Sequence, residues 1–183
     1  MVTLWNLFGN LVPIFSLIVF GTFLFLYRWK KNNRHLRWRE VLPFVLTTLS
    51  VIGISLVTLT PQEGHIGWKN YNFMPLDNLF LNIKYHGDLW VPIRNLMANI
   101  VLFIPFGFAV GWLMQGLRYI SRRTLFIGAS LSLMIEALQW NLPLGRSIDI
   151  DDWLMNSIGA WVGGVLFVMS WKLYQLLKRN RKR

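Results

Sequence analysis

Between Ser132 and Gly164 the chain concentrates the groups that are hardest to place beside lipid. Glu136 and Gln139 interrupt an apolar run, Arg146 follows Pro143 and Gly145, Asp149, Asp151 and Asp152 come next, and Asn156 sits in a further apolar run. A carboxyl group in such a helix is costly unless it is paired, solvated or protonated, which makes it a functional candidate by default. Ser132, Glu136 and Gln139 stand at i, i+4 and i+7 and therefore share one helix face. Asn95 and Asn99 share a face of the preceding apolar run by the same step. The two faces either line one outward-opening pocket or tie helices together, as interhelical amides do. The choice of Glu, where Gln would bridge helices at lower cost, favours the pocket. Asp149, Asp152 and Asn156 recur at i, i+3 and i+7. Asp149 and Asp152 suit a helix N-cap and the N3 position of a capping box. Alternatively, the Arg146 fork pairs with these acids and with an anionic ligand group. The candidate ligand-binding residues are Asn99, Glu136, Gln139, Arg146, Asp149, Asp152 and Asn156, and Glu136 is the catalytic candidate if the chain is an enzyme.

Other chemistries are less well supplied. There is no cysteine, which excludes disulfides and thiolate metal sites. Neither His-x-x-x-His nor Glu-x-x-His occurs, and the carboxylates with His65 and His86 would suit a hard cation better than zinc. No metal or cofactor is assigned. A serine hydrolase would need a Gly-x-Ser-x-Gly elbow and a histidine base among the apolar runs, and the chain has neither. The net charge of +11 raises the question of nucleic acid, but 54% of the residues are hydrophobic and the cations fall in the gaps between apolar runs. That is the pattern of membrane topology rather than of phosphate binding.

A bilayer core takes about 20 mainly apolar residues per helix. Five segments meet or approach that length: residues 4–27, 41–60, 96–117, 124–142 and 153–173. The fold class expected is all-α, a polytopic bundle of about five transmembrane helices forming a single membrane domain over residues 1–183. With the loop after the first helix placed in the cytoplasm, 15 of the 19 Lys and Arg residues lie inside and four (Lys69, Lys84, Arg94, Arg146) outside. The positive-inside rule then gives an outside N-terminus and an inside C-terminus, in a multi-pass membrane protein. No cation precedes Arg28 and the first apolar run exceeds a signal-peptide core, so that run is read as a retained helix. Tryptophans agree: Trp5, Trp68, Trp90, Trp140 and Trp153 fall near the outer boundary, and Trp29, Trp38, Trp112 and Trp171 near the inner one.

Within the long outer loop, Leu76, Leu79, Phe80 and Ile83 recur at helical spacing and predict a short amphipathic helix on the membrane surface or folded back as a lid. Gly107-x-x-x-Gly111, Gly159-x-x-x-Gly163 and Ala160-x-x-x-Gly164 predict close helix packing, within the chain or between copies in an oligomer. Pro105 removes one backbone bond from its helix and predicts a kink below Asn99.

Taken in order, these pieces resemble the VanZ family of polytopic bacterial membrane proteins. Asn72-Phe73-Met74-Pro75-Leu76 is similar to the family's Asn-Leu-Ile-Pro-Phe segment, departing most at Leu76. Asn99 followed by Leu102-Phe103-Ile104-Pro105-Phe106-Gly107 is the next piece. Glu136-x-x-Gln139, Arg146-x-x-Asp149-Ile150-Asp151-Asp152 and Asn156-x-x-Gly159 complete it. The resemblance covers about residues 72–164, extended by the N-terminal segments 4–27 and 41–60.

The resemblance implies low-level resistance to teicoplanin, with much less effect on vancomycin. Teicoplanin carries an acyl chain that anchors it in the membrane, so a protein acting at the bilayer surface can discriminate between the two drugs. The partners expected are membrane lipid and a lipid-linked cell-wall precursor or the lipidated drug, engaged at the outer face, with no nucleic acid. Two alternatives stand beside this. One is a membrane enzyme modifying a lipid or cell-wall precursor with Glu136 as acid or base. The other is a structural or assembly protein whose polar residues only specify helix packing.

Overall fold

The computed structural model describes residues 16–18, 20–22, 24, 28, 38–61, 71–87, 89–142 and 144–181. The described positions between 16 and 28 are helical, and most of the first expected span lies outside the described residues. Five helices follow: α1 (Trp38–Thr58), α2 (Asp77–His86), α3 (Trp90–Leu113), α4 (Ile120–Asn141) and α5 (Ile150–Asn180). Two short strands, β1 (Tyr71–Asn72) and β2 (Ile148–Asp149), pair in parallel with Tyr71 opposite Ile148 and Asn72 opposite Asp149. Among the described residues the fold is thus all-α apart from this bridge.

Each long helix starts before its apolar run, because helical hydrogen bonding continues into segments too polar for the hydrocarbon. α3 begins at Trp90 rather than near Leu96, and α5 continues to Asn180 through its basic end. Three helices among the described residues are long and apolar enough to cross a membrane, in α1, α3 and α5. α4 has the length, at 22 residues, but its buried face carries Thr124, Ser132, Glu136 and Gln139, which lowers its apolar content. Outward-facing side chains such as Val101, Phe126, Leu133, Met134, Trp161 and Met169 are large, apolar and exposed. That inside-out surface is what a hydrocarbon solvent demands. Pro105 does not interrupt α3, which continues as one helix to Leu113. The amphipathic helix expected in the loop is α2, with Leu76 at its N-cap in the left-handed region.

α5 is the central helix. A Cβ on Gly159 would collide with the Ile100 carbonyl, one on Gly163 with Ile104 and Phe108 backbone, and one on Gly111 would press the Phe167 ring. These contacts advance together along both helices, so α3 and α5 run parallel with backbones nearly touching. Against α4 the order reverses: Asn156 meets Ser132, a Cβ on Gly128 would strike Ala160, and one on Gly164 would strike Thr124. Each step down α5 is a step up α4, the mark of antiparallel packing. The small-residue faces are therefore filled within the chain. α1 packs on the outside of α3, and Ile54, Phe103, Phe106, Val110, Ile135 and Ala160 close the apolar centre.

Candidate functional site

The polar residues converge at the end of the bundle where α1 and α4 finish and α3 and α5 begin. Asp149 is the N-cap of α5, with extended backbone, and its Oδ1 accepts from the Asp151 N–H at 3.0 Å. In a capping box the N3 side chain would return a bond to the N-cap N–H. Here the Asp149 N–H instead donates to Oε2 of Glu136 at 3.2 Å, from the neighbouring helix. Glu136 thus completes a cap whose other half lies 13 residues along the chain, and Asp152 is released from that role. The Asn99 amide donates to Oδ1 of Asp152, linking α3 to α5. One turn further down, the Asn156 amide donates to Ser132 Oγ at 2.9 Å.

Arg146 and Gln139 serve a different element. Arg146 donates from Nε to the Thr60 carbonyl and from Nη2 to the Val57 carbonyl, both at 3.0 Å, and Gln139 donates to the Thr58 carbonyl at 2.9 Å. The last carbonyls of a helix have no partner within it, and a cation there also meets the negative end of the dipole. Burial lowers the Arg146 pKa, opposed by the charges of Asp152 and Glu136. The guanidinium expected to contact an anionic ligand therefore has two of its donors committed to closing α1. Among the described residues, two buried acceptors, Gln139 Oε1 and Asn156 Oδ1, have no hydrogen-bond partner.

Asp151 is outside the sequence-derived candidate set and is one of the most enclosed groups, 4% exposed. Both its oxygens accept the Leu76 N–H, at 2.8 and 3.1 Å. Asn72 Oδ1 accepts from Met74 N at 3.1 Å, and the Asn72 amide reaches Asp149 Oδ1 at 3.4 Å. The segment Tyr71–Leu76 is therefore a strap held across the start of α5. The only signal for Asp151 was its place in an acidic triplet, whose outward spacing hid an inward role. Asp151→Ala is expected to loosen the strap: amide exchange at Leu76 should accelerate at least tenfold, as the loss of a charge-assisted bond implies. Exchange at the α3–α5 contact should hardly change. Exchange at Leu76 no faster than in the wild type would remove the clamp from the account.

Beside the strap lies an open cleft of about 250 Å³, walled by Leu133 and Glu136 of α4, Phe73 of the strap, the run Ile148–Ile150, and Trp153. The Trp153 indole donates to the Ala129 carbonyl at 3.0 Å, which fixes that wall. Glu136 is 5% exposed, and its Oε2 is the oxygen engaged among the described residues. Of the expected site, Glu136 and Asp149 line this cleft, whereas Asn99, Gln139, Arg146, Asp152 and Asn156 hold the helices that form it. Asn95 is exposed on α3 and joins neither group. His65 lies outside the described residues, and no trio of acidic or histidine side chains converges as metal ligands among the described ones.

Segments far apart in sequence, Asn72–Leu76, Asn99, Glu136, Arg146–Asp152 and Asn156, thus assemble in one place. A family profile described as VanZ/LLP1 matches residues 44–173, well over half of the chain. The chain belongs to the VanZ/LLP1 family. The match begins within α1, beyond the motif-bearing region, which fits a helix whose end is closed by Arg146 and Gln139. No curated protein and no solved structure matches the chain. Family membership together with the apolar helices makes this a VanZ-like membrane protein.

Proposed function

We propose that this VanZ-like protein spans the bacterial cell membrane five times, with its N-terminus outside and its C-terminus inside, and engages a membrane-anchored amphiphile at the outer face. In this reading the α4–α5 cleft receives part of a lipid-linked cell-wall head group or of a lipidated glycopeptide, and the result is reduced susceptibility to teicoplanin. The observation that carries the reading is an apolar cleft, walled in part by the buried Glu136, beside an outward, lipid-like surface. The basic clusters at 118–123 and 172–183, toward the opposite end of the bundle, support a cytoplasmic position for that end. In this reading the strap and cleft lie at the outer leaflet. At about 250 Å³ the cleft is below the roughly 300–1,000 Å³ of a drug-sized pocket, so it takes one head group or the root of a tail, not a whole glycopeptide.

The commitment of Asn99, Gln139, Arg146, Asp152 and Asn156 to internal bonds favours a positioning role for them, and Glu136 and Asp149, though bonded internally as well, are the members of the set that line the cleft. The test is drug susceptibility in a sensitive Gram-positive host expressing the wild-type chain, against an empty vector. Teicoplanin protection with little change for vancomycin is the expected result. A well-expressed chain that protects against neither drug would remove the resistance reading.

A further inference from the structure

We propose that the strap and α2 are immersed in the membrane interface of the leaflet beside the cleft, so that Phe73, a wall of the cleft, borders lipid rather than water. The inference concerns the surroundings of the site and holds whatever the cleft receives. It starts from the outward face of α2. Leu79 and Asn82 are half-buried, whereas Phe80, Leu81, Ile83 and Tyr85 are exposed together with Lys84. A helix whose outer face met water would carry polar residues there. Here the exposed side chains are large and apolar or aromatic, with one cation among them. The strap repeats the pattern: Phe73 and Met74 are 63% and 70% exposed, although Asp151 anchors the strap at Leu76.

What covers this surface follows from where it leads. α2 packs chiefly on α3, and the exposed apolar side chains continue from the strap through α2 into Trp90, Val91 and Ile93 in the first turn of α3. α3 is long and apolar enough to cross a membrane over Trp90–Leu113, so the patch leads into the surface that faces lipid. Gly87, at φ 64°, ends α2 shortly before Trp90 and keeps the short helix close to the start of that span. The residue types suit the boundary as well. Tyrosine and tryptophan present an apolar ring with a polar tip, and a lysine stem can lie along apolar surface while its ammonium reaches the phosphates. Lys84 Nζ stands 5.2 Å from the centre of the Tyr85 ring. A helix of this kind settles with its apolar face about 5–10 Å into the boundary between head groups and acyl chains. Among the described residues no wall of the cleft comes from α2, so the helix is an anchor beside the cleft and not a lid over it.

The chain contains no cysteine, so Met74→Cys, Phe80→Cys, Met97→Cys and Asn180→Cys each give one spin-labelled site on the intact protein in phosphatidylcholine vesicles. Electron paramagnetic resonance then compares collisions with oxygen, which partitions into lipid, and with a water-soluble nickel chelate. Met97, exposed on α3 about 10 Å along the helix from Trp90, is the lipid reference. Asn180, exposed at the far end of α5, is the water reference. Labels at positions 74 and 80 are expected to meet oxygen more than the chelate, at a depth of about 5–10 Å into the boundary, shallower than the label at position 97. A chelate-dominated label at either position would put that segment in water and overturn the proposal. Low access to both reagents would mean that protein covers the patch, a second copy included, and would overturn it equally. Should either substitution impair folding, Phe73→Cys or Tyr85→Cys, exposed in the same two segments, carries the comparison. Drug susceptibility takes no part in these outcomes, so they stand apart from the test of resistance.

Discussion

Gly163→Ala is expected to cost the folded bundle about 3 kcal/mol, the upper end of what overpacking usually costs. The new Cβ would collide with the Ile104 carbonyl, the Phe108 nitrogen and the Gly107 carbonyl carbon. All three are backbone atoms of α3, so no side chain can rotate aside, and the two helices would have to separate along their length. Gly21→Ala supplies the contrast: it is helical and open, with nothing within 4 Å of the added carbon. That change should be neutral or slightly stabilising, since alanine is the better helix former by roughly 0.5–1 kcal/mol. Unfolding in mixed micelles, followed by circular dichroism, compares the two. A Gly163→Ala midpoint equal to that of wild type would mean that α3 and α5 are not in close backbone contact.

Replacing Glu136 separates structure from function because the residue both caps a helix and walls the cleft. Oε2 holds the Asp149 N–H at the start of α5, while the side chain forms part of the cleft wall. Glu136→Leu leaves that buried N–H without an acceptor and should destabilise by about 1–3 kcal/mol. Glu136→Gln keeps a carbonyl oxygen for the N–H and should retain most of the stability. Both should abolish teicoplanin protection at matched membrane abundance if the charge meets the ligand. Full protection by a stable Glu136→Gln chain would show that no carboxylate is required. That result would move the functional weight to the cleft's shape. Turnover of a lipid by the purified wild type, lost in Glu136→Gln with binding retained, would instead make Glu136 an acid or base.

Apolar runs located α1, α3, α4 and α5 because a helix in lipid must be apolar over a length set by the bilayer. Leucine and isoleucine spacing likewise located α2. Periodicity also placed Glu136 with Ser132 and Gln139 on one inward face, and that face is buried. What spacing does not contain is the identity of the partner across the gap. Gln139 shares a face with Glu136 yet reaches the end of α1, because successive turns of α4 pass different neighbours. The spacing allows Asp152 either a capping box with Asp149 or a pairing with Arg146. In the fold, two guanidinium donors close α1 and the carboxylate receives Asn99. Asp151 was missed for a related reason: its partner is a backbone N–H at Leu76, and side-chain patterns do not report backbone donors. The glycine motifs announced close approach without saying to which helix. Only the three-dimensional alignment of Gly159 with Ile100, and of Gly128 with Ala160, settles that the contacts are internal.

Hydrogen bonds tie separate stretches of chain together at one end of the bundle: Asp151 grips Leu76, Asp149 meets Asn72, Asp152 takes Asn99, and Arg146 closes α1. A site fixed in this way needs little rearrangement when it fills. Its open side is flanked by Leu133, which faces the same direction as the other lipid-contacting side chains of α4. A guest would then arrive sideways, by diffusion in the plane of the leaflet, without passing through water. Occupancy in the cell would follow the mole fraction of the amphiphile in the membrane rather than its concentration in the medium. Two drugs given at equal dose would differ in effect simply because one partitions into the bilayer and the other does not.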